Sequence, residues 1–246
     1  MGECKRTALV LGASGTLGCA IAQQLFASGY ALGLHGFQHP EKLPQLLTTT
    51  SAQKTKAYTA DFRIPAHIEK LAQDYLADFG SLHALVCAAG ITRDAPVLTQ
   101  KGEDLREVLA VNLTAPLLLC KHFARTFIKQ KSGTVVFVSS HAGLSGRAGG
   151  AAYSMAQSGL LALAKSLARE WGSLGVRVNC IVPPFVPESV MGQSASPGFS
   201  ESVKLKNVLK GPSPNLAMGV AHFVAELLEN PTASGQVFTL DARIAG

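Results

Sequence analysis

Short apolar runs and amphipathic stretches alternate along the whole chain. The run TALVLGA (Thr7 to Ala13) is almost wholly apolar and leads into glycine-rich sequence. Such a run reads as a strand buried on both faces. In LGCAIAQQLFASG, which follows, apolar residues recur at helical spacing and stop at Gly29. The alternation continues with a strand near YALGLHG, a helix-like HPEKLPQLLTTT, a strand KAYTADF, a helix PAHIEKLAQDYLADFG and a strand LHALVCAAG. A long helix is predicted over GEDLREVLAVNLTAPLLLCKHFARTFIKQ, then a strand GTVVFVSS, a helix from about Tyr153 to Trp171 and a strand VRVNCIVP. A helix NLAMGVAHFVAELLE and a strand QVFTLD close the pattern.

Strand–helix alternation with right-handed crossovers predicts an α/β fold: one doubly wound parallel sheet with helices on both faces. No repeat or linker divides the chain, so residues 1–246 are expected to form one domain. Its irregular segment, 183–215, is rich in Pro, Ser and Gly. A loop of that length in a compact domain is expected to be functional, here a substrate loop or lid. Lys204, Lys206 and Lys210 within it also fit a solvated helix face.

Composition narrows the function classes. With 47% hydrophobic and 15% charged residues, disorder is excluded. The net charge of +6 favours acidic partners, but the basic residues are scattered, which argues against nucleic acid. Cys4, Cys19, Cys87, Cys120 and Cys180 form no C-x-x-C pair, so free buried thiols in a reducing compartment are expected, with no metal site. The N-terminus has no signal-peptide pattern, and Arg6 stands where myristoylation of Gly2 wants Ser or Thr. No uninterrupted apolar run looks long enough to span a bilayer, so a cytoplasmic protein without membrane contact is expected.

Gly12, Gly15 and Gly18 of GASGTLG lie between the first strand and the first helix. Glycines there allow a sharp turn, close approach of a pyrophosphate and tight helix–strand packing, while the helix N-terminus offers free N–H groups. Dinucleotide binding follows from the loop and its setting. LGLHGFQHP, after the second strand, has no acid to hold ribose hydroxyls. It also lacks an Arg, leaving His35, Phe37, His39 and the more distant Lys42. The balance leans to NADPH, with NADH not excluded.

These motifs, in this order, resemble the short-chain dehydrogenase/reductase family, and within it the bacterial-type 3-oxoacyl-acyl-carrier-protein reductases. GASGTLG is similar to the nucleotide loop, ADF to the segment bordering the adenine, and CAAGITRD to the Asn-Asn-Ala-Gly segment. VNLTAP, VVFVSSHAG and YSMAQSGLLALAKSLAREW carry the family's asparagine, serine and tyrosine, and VRVNCIVPPF the strand leading to the nicotinamide. The resemblance implies a Rossmann-type fold. It implies Asn112, Ser140, Tyr153 and Gln157 as the catalytic positions. The implied cofactor contacts are Gly12, Ser14, Gly15, Thr16, Leu17, Gly18, Asp61, Phe62, Ala88, Ala89, Gly90, Tyr153, Gln157 and Pro183. Tyr153 would give a proton to a ketone oxygen, Ser140 would hold that oxygen, and Asn112 would hold a relay water. Ser139 is adjacent, but the spacing to the tyrosine favours Ser140. Taken alone, a serine in an SSH turn and a tyrosine at a helix start are ordinary capping and packing residues.

Departures gather at the same place. Gln157 stands where the family has lysine, Thr16 where it has glycine, Cys87-Ala88 for the Asn pair, and Pro183-Pro184 for Pro-Gly; a threonine is replaced around Pro187–Ser189. Positions i and i+4 share a helix face, so residue 157 lies beside Tyr153. A lysine there would hold the nicotinamide ribose and lower the phenol pKa; glutamine keeps part of the first role only. The missing attraction is on the order of a few kcal/mol at an effective dielectric near 20. The loss should fall on alcohol oxidation, which needs phenolate, more than on ketone reduction. Lys165 stands about 12 Å further along the axis than residue 157. His141 and Arg147 are the other cations in reach by sequence.

Three readings remain open. One is NADPH-dependent reduction of a 3-oxoacyl thioester on an acyl carrier protein, in fatty-acid or polyketide-type biosynthesis, with Lys131 as a carrier contact by resemblance. Lys129 and Lys131 also simply suit a helix C-terminus. A second is a weak or inactive partner subunit. A third is an oxidoreductase for another ketone or alcohol. On family grounds a homo-oligomer (dimer or tetramer) is expected, with a hetero-oligomer possible; the apolar GLLALAKSLA stretch fits burial on the sheet and against a second subunit.

Overall fold

The computed structural model describes residues 6–43, 54–193, 197–208 and 215–243. Its strands are β1 (Thr7–Leu11), β2 (Ala31–His35), β3 (Thr55–Tyr58), β4 (Ala84–Cys87), β5 (Gly133–Val138), β6 (Val176–Val182) and β7 (Val237–Thr239). They form one seven-stranded parallel sheet in the order β3-β2-β1-β4-β5-β6-β7. The expected doubly wound Rossmann-type sheet is therefore present.

Side-chain alternation along the strands divides the core into two layers. Leu9 and Leu11 of β1 face α2 (Pro65–Phe79), α4 (Ala115–Gln130) and α6 (Ala151–Trp171), among Tyr75, Phe123, Phe127 and Trp171. Ala8 and Val10 face α1 (Thr16–Ala27) and α9 (Leu216–Glu229), among Ile21, Leu25, Val220 and Val224. Because β1, β2 and β4 are buried throughout, they read as unbroken apolar runs. β3 is an edge strand, TKAY, with Lys56 exposed, a common protection against further strand pairing.

Several boundaries differ from the sequence-based expectation. The long helix is three pieces: α3 (Gly102–Leu109), a π turn at Ala110–Thr114, and α4. Its span Gly102–Gln130 does reach membrane-crossing length and apolarity by composition. Val108, Leu119, Phe123 and Phe127 point into the protein core, so it is the core helix of a globular sheet layer. Only Pro40–Lys42 of HPEKLPQLLTTT is helical, as a 3₁₀ turn, and its remainder after Leu43 lies outside the described residues. α5 (Ala142–Ser145) and α7 (Val190–Gln193) were not expected, whereas α8 (Pro197–Lys206) carries exposed Lys206 of the helix face weighed above. Short helices inside a Pro/Ser/Gly-rich segment carry no apolar period to reveal them. Gly2, Cys4, Lys210 and the side chain of Lys204 lie outside the described residues.

The strand order reverses between β1 and β4. The crevice at the carboxyl ends of those strands is where open α/β sheets bind ligands. The glycine loop and the segment Ala88–Gly90 leave the sheet there.

Candidate active site

The glycine loop is built by exclusion of side chains. Gly12 adopts φ +75°, and a Cβ on it would lie 2.7 Å from the Ala89 backbone. A Cβ on Gly18 would lie 2.1 Å from the Gly12 carbonyl oxygen, so α1 packs directly onto the turn. The Gly15 N–H donates to the Gly12 carbonyl at 2.9 Å, closing the turn. Gly15 is exposed at the N-terminus of α1, where a phosphate would meet free N–H groups. Ser14, Thr16 and Leu17 flank this turn and are all partly exposed. Ser14 sits against Gly36, where a Cβ would come within 2.9 Å of its Oγ.

His35 holds the loop from below. It is buried, its Nδ1 accepts from Gly12 N–H at 3.3 Å, and its Nε2 lies 2.9 Å from the Ala60 carbonyl. Those two partners assign the proton to Nε2. The ring stacks on Phe62 with centroids 4.2 Å apart. Burial holds the imidazole pKa down to about 4, so it is neutral at pH 7. By its place in the sequence, His35 is only a candidate charge near the ribose. A histidine closing an otherwise apolar strand was the available sign of this second role.

A charge network holds the turn after β3. Asp61 accepts from Arg63 through Nε at 2.8 Å and Nη2 at 2.6 Å, and from the Arg63 backbone N–H at 3.0 Å. The Arg63 pairing holds the Asp61 carboxyl below its usual value. Arg63 also donates to Glu107 at 2.9 Å, and Glu107 accepts from Arg93 at 2.9 Å. The Arg63 guanidinium lies 5.5 Å over the Phe37 ring. A cation therefore does stand beside the β2 end, arriving from the turn after β3. Linear proximity to β2 could not reveal it.

At the other end of the crevice, Ala88 N–H donates to Leu11 O at 3.1 Å and fixes the Ala88–Gly90 segment to β1. Asn112 is buried in the π turn. Its Oδ1 accepts from Ile91 N–H at 2.9 Å and its Nδ2 donates to Ile91 O at 2.8 Å. Both ends of the amide are thus engaged in pinning the residue after Gly90.

The two serines separate cleanly. Ser139 is buried and its Oγ donates to the Gln157 carbonyl at 3.0 Å, tying β5 to α6. Ser140 Oγ accepts from Ala142 N–H at 3.2 Å and stands beside the Tyr153 phenol. Burial pushes the Tyr153 phenol pKa up; the neighbouring Ser140 hydroxyl and the Arg147 charge act in the opposite direction. Arg147 places its guanidinium 5.6 Å from the Tyr153 ring centroid.

Gln157 lies one turn after Tyr153 and is 3% exposed. Its Oε1 has no hydrogen-bond partner among the described residues. A buried, unsatisfied acceptor costs roughly 1–3 kcal/mol. A ribose hydroxyl donating to it would remove that cost. The glycine cradle and this acceptor together fit a bound dinucleotide. Pro183 is buried at the end of β6. Ser189, near the expected threonine, donates to Val186 O at 2.7 Å and accepts from Gly192 N–H at 3.0 Å. It is committed to its own turn. Met191 instead reaches toward Gly90, its Cε 3.5 Å from where a Cβ there would sit.

Comparison with known proteins identifies the family. The short chain dehydrogenase family profile matches residues 6–198. Nodulation protein G of Rhizobium meliloti (strain 1021) is 34% identical over 223 residues, 90% of each chain. The 3-oxoacyl-[acyl-carrier-protein] reductase FabG of Escherichia coli (strain K12) is 34% identical over 181 residues, 74% of this chain and 73% of its own. A crystal structure of a dehydrogenase/reductase from Sinorhizobium meliloti 1021 superposes with a TM-score of 0.87 at 26% identity, covering 97% of this chain and 94% of the other. With a profile spanning most of the sequence and a relative matched across nine-tenths of it, this chain belongs to the short-chain dehydrogenase/reductase family, oxidoreductases that generally use a nicotinamide dinucleotide.

Proposed function

We propose that the protein reduces the ketone of a 3-oxoacyl thioester, carried by an acyl carrier protein, to the 3-hydroxyacyl thioester with NADPH. The observation that carries this reading is the neighbouring Ser140 and Tyr153 hydroxyls at the crevice, together with the names of its relatives. Gly12, Gly15, Gly18 and the α1 N-terminus would hold the pyrophosphate. Asp61, Phe62 and Ala88 to Gly90 would line the nucleotide's path, Pro183 would back the nicotinamide, and Gln157 Oε1 would accept a ribose hydroxyl. The bound cofactor supplies a hydride to the ketone carbon. Ser140 holds the ketone oxygen as negative charge develops on it. The Tyr153 O–H bond breaks, its proton passes to that oxygen, and the phenolate left behind regains a proton from solvent. Reduction begins from neutral tyrosine, the state that burial favours here.

NADPH over NADH rests on the missing acid after β2 and on Arg63 beside Phe37, with Asp61 committed to that arginine. Lys131, exposed and left-handed at the end of α4, suits an acidic carrier. Exposed Leu117 and Ile128 on α4 and Met155 on α6 suit a homo-oligomer. Gln157 favours a second reading, a weak or inactive partner subunit, because a buried neutral amide stands where the reaction would use a cation. NADPH oxidation with a 3-oxoacyl thioester, beside NADH and beside Tyr153→Phe, separates the readings.

A further inference from the structure

The loop before α6 has an unusual construction. Gly146 and Gly149 adopt φ +73° and +70°, which L side chains rarely adopt. A Cβ on Gly150 would lie 2.6 Å from Arg147 Nε, so the arginine folds back closely against that glycine. Ala95 N–H donates to Gly149 O at 2.8 Å, binding this loop to the segment that carries Asp94. Asp94 then accepts from Arg147 Nη2 at 2.5 Å. The Arg147 side chain is only 21% exposed and its guanidinium lies over the Tyr153 ring.

We infer that Arg147, held by Asp94, is the positioning cation of the Tyr153 phenol, stabilising its phenolate from the loop before α6 where the family resemblance expects a lysine one turn after the tyrosine. The inference rests on the reading of Tyr153 as the proton donor and explains how a chain with Gln157 keeps that donor usable. Other charges near the site are otherwise engaged. Glu107, on the α3 helix packed against α6, is bonded to Arg63 and Arg93. His141 is bonded to Ser145, and its pKa is lowered by burial and then by the charge of Arg243. The charges acting on the phenol are Arg147, which favours the phenolate, and Asp94, which opposes it. A nearby cation favours the phenolate, and the Asp94 carboxylate partly offsets it.

The test needs neither substrate nor cofactor. The chain has 4 tyrosines, so ring-¹³C tyrosine labelling with Tyr153→Phe for assignment isolates the Tyr153 signal in an NMR pH titration. Arg147→Met and Arg147→Gln should both raise the Tyr153 midpoint by about one unit, a tenfold loss of phenolate at a given alkaline pH. Arg147→Lys should stay close to the native midpoint. The glutamine variant keeps a hydrogen-bond donor for Asp94 without the charge, so it covers the case in which the methionine variant fails to fold. An unchanged midpoint in the neutral variants, or an equal rise in Arg147→Lys, overturns the inference. A protein inactive toward thioesters that still shows the charge-dependent midpoint would overturn the proposed reaction and not this one.

Discussion

Replacing His35 by phenylalanine should destabilise the protein by an amount that depends on pH. The variant keeps a ring to stack on Phe62 but removes both polar partners, leaving Gly12 N–H and Ala60 O unsatisfied in a buried place. At roughly 1–3 kcal/mol each, the cost at pH 7 should be about 2–4 kcal/mol. Acid removes the native advantage. The folded imidazole has a pKa of about 4 against a reference of 6.5, so between those values the unfolded chain binds the extra proton. Native stability therefore falls as pH drops through this window, by about 1.4 kcal/mol per unit and about 3 kcal/mol in total. The phenylalanine variant has no such loss at this position. Urea unfolding of both proteins from pH 7.5 to 4.5 should show two stabilities that differ most at neutral pH and draw together below about 6. A difference that stays constant across the range would refute the assignment of His35 as a buried neutral clasp.

Gly18→Ala should weaken NADPH binding more than tenfold and destabilise the fold by about 1–3 kcal/mol, because the new methyl meets the Gly12 carbonyl at 2.1 Å. Fluorescence titration with NADPH checks this, and an unchanged Kd would contradict it. Lys131→Glu should weaken acyl-carrier-protein binding roughly threefold to tenfold, as reversal of a rim charge does. Equal affinity by surface plasmon resonance would remove that contact.

The sheet was legible because its strands are buried on both faces, so their apolar runs stand out from the amphipathic helices between them. The glycine loop was legible because each glycine answers a steric demand that sequence spacing alone encodes. The spacing also separates Ser140 from Ser139, whose hydroxyl ties β5 to α6. Other features depend on distant pairings. Arg63 reaches the β2 end from a separate turn, and Arg147 reaches Tyr153 because three glycines fold its loop back. The segment GRAGG held the clue in an arginine enclosed by glycines shortly before the tyrosine. The engagement of Asn112 with Ile91 follows from a π turn that no apolar period marks. The same lack of pattern hid the short helices after β6, where Ser189 caps its own turn.

In the proposed reaction Ser140 and Tyr153 act together as a working proton-donating pair despite Gln157. The most direct measurement is the rate of NADPH oxidation with a 3-oxoacyl thioester for the native protein, Tyr153→Phe and Gln157→Lys, after NADPH binding has been established for each. The account predicts turnover by the native protein and a loss of at least about a hundredfold in Tyr153→Phe, the usual scale of general-acid catalysis. Turnover only in Gln157→Lys, with native cofactor binding intact, would contradict it and favour a non-catalytic partner subunit.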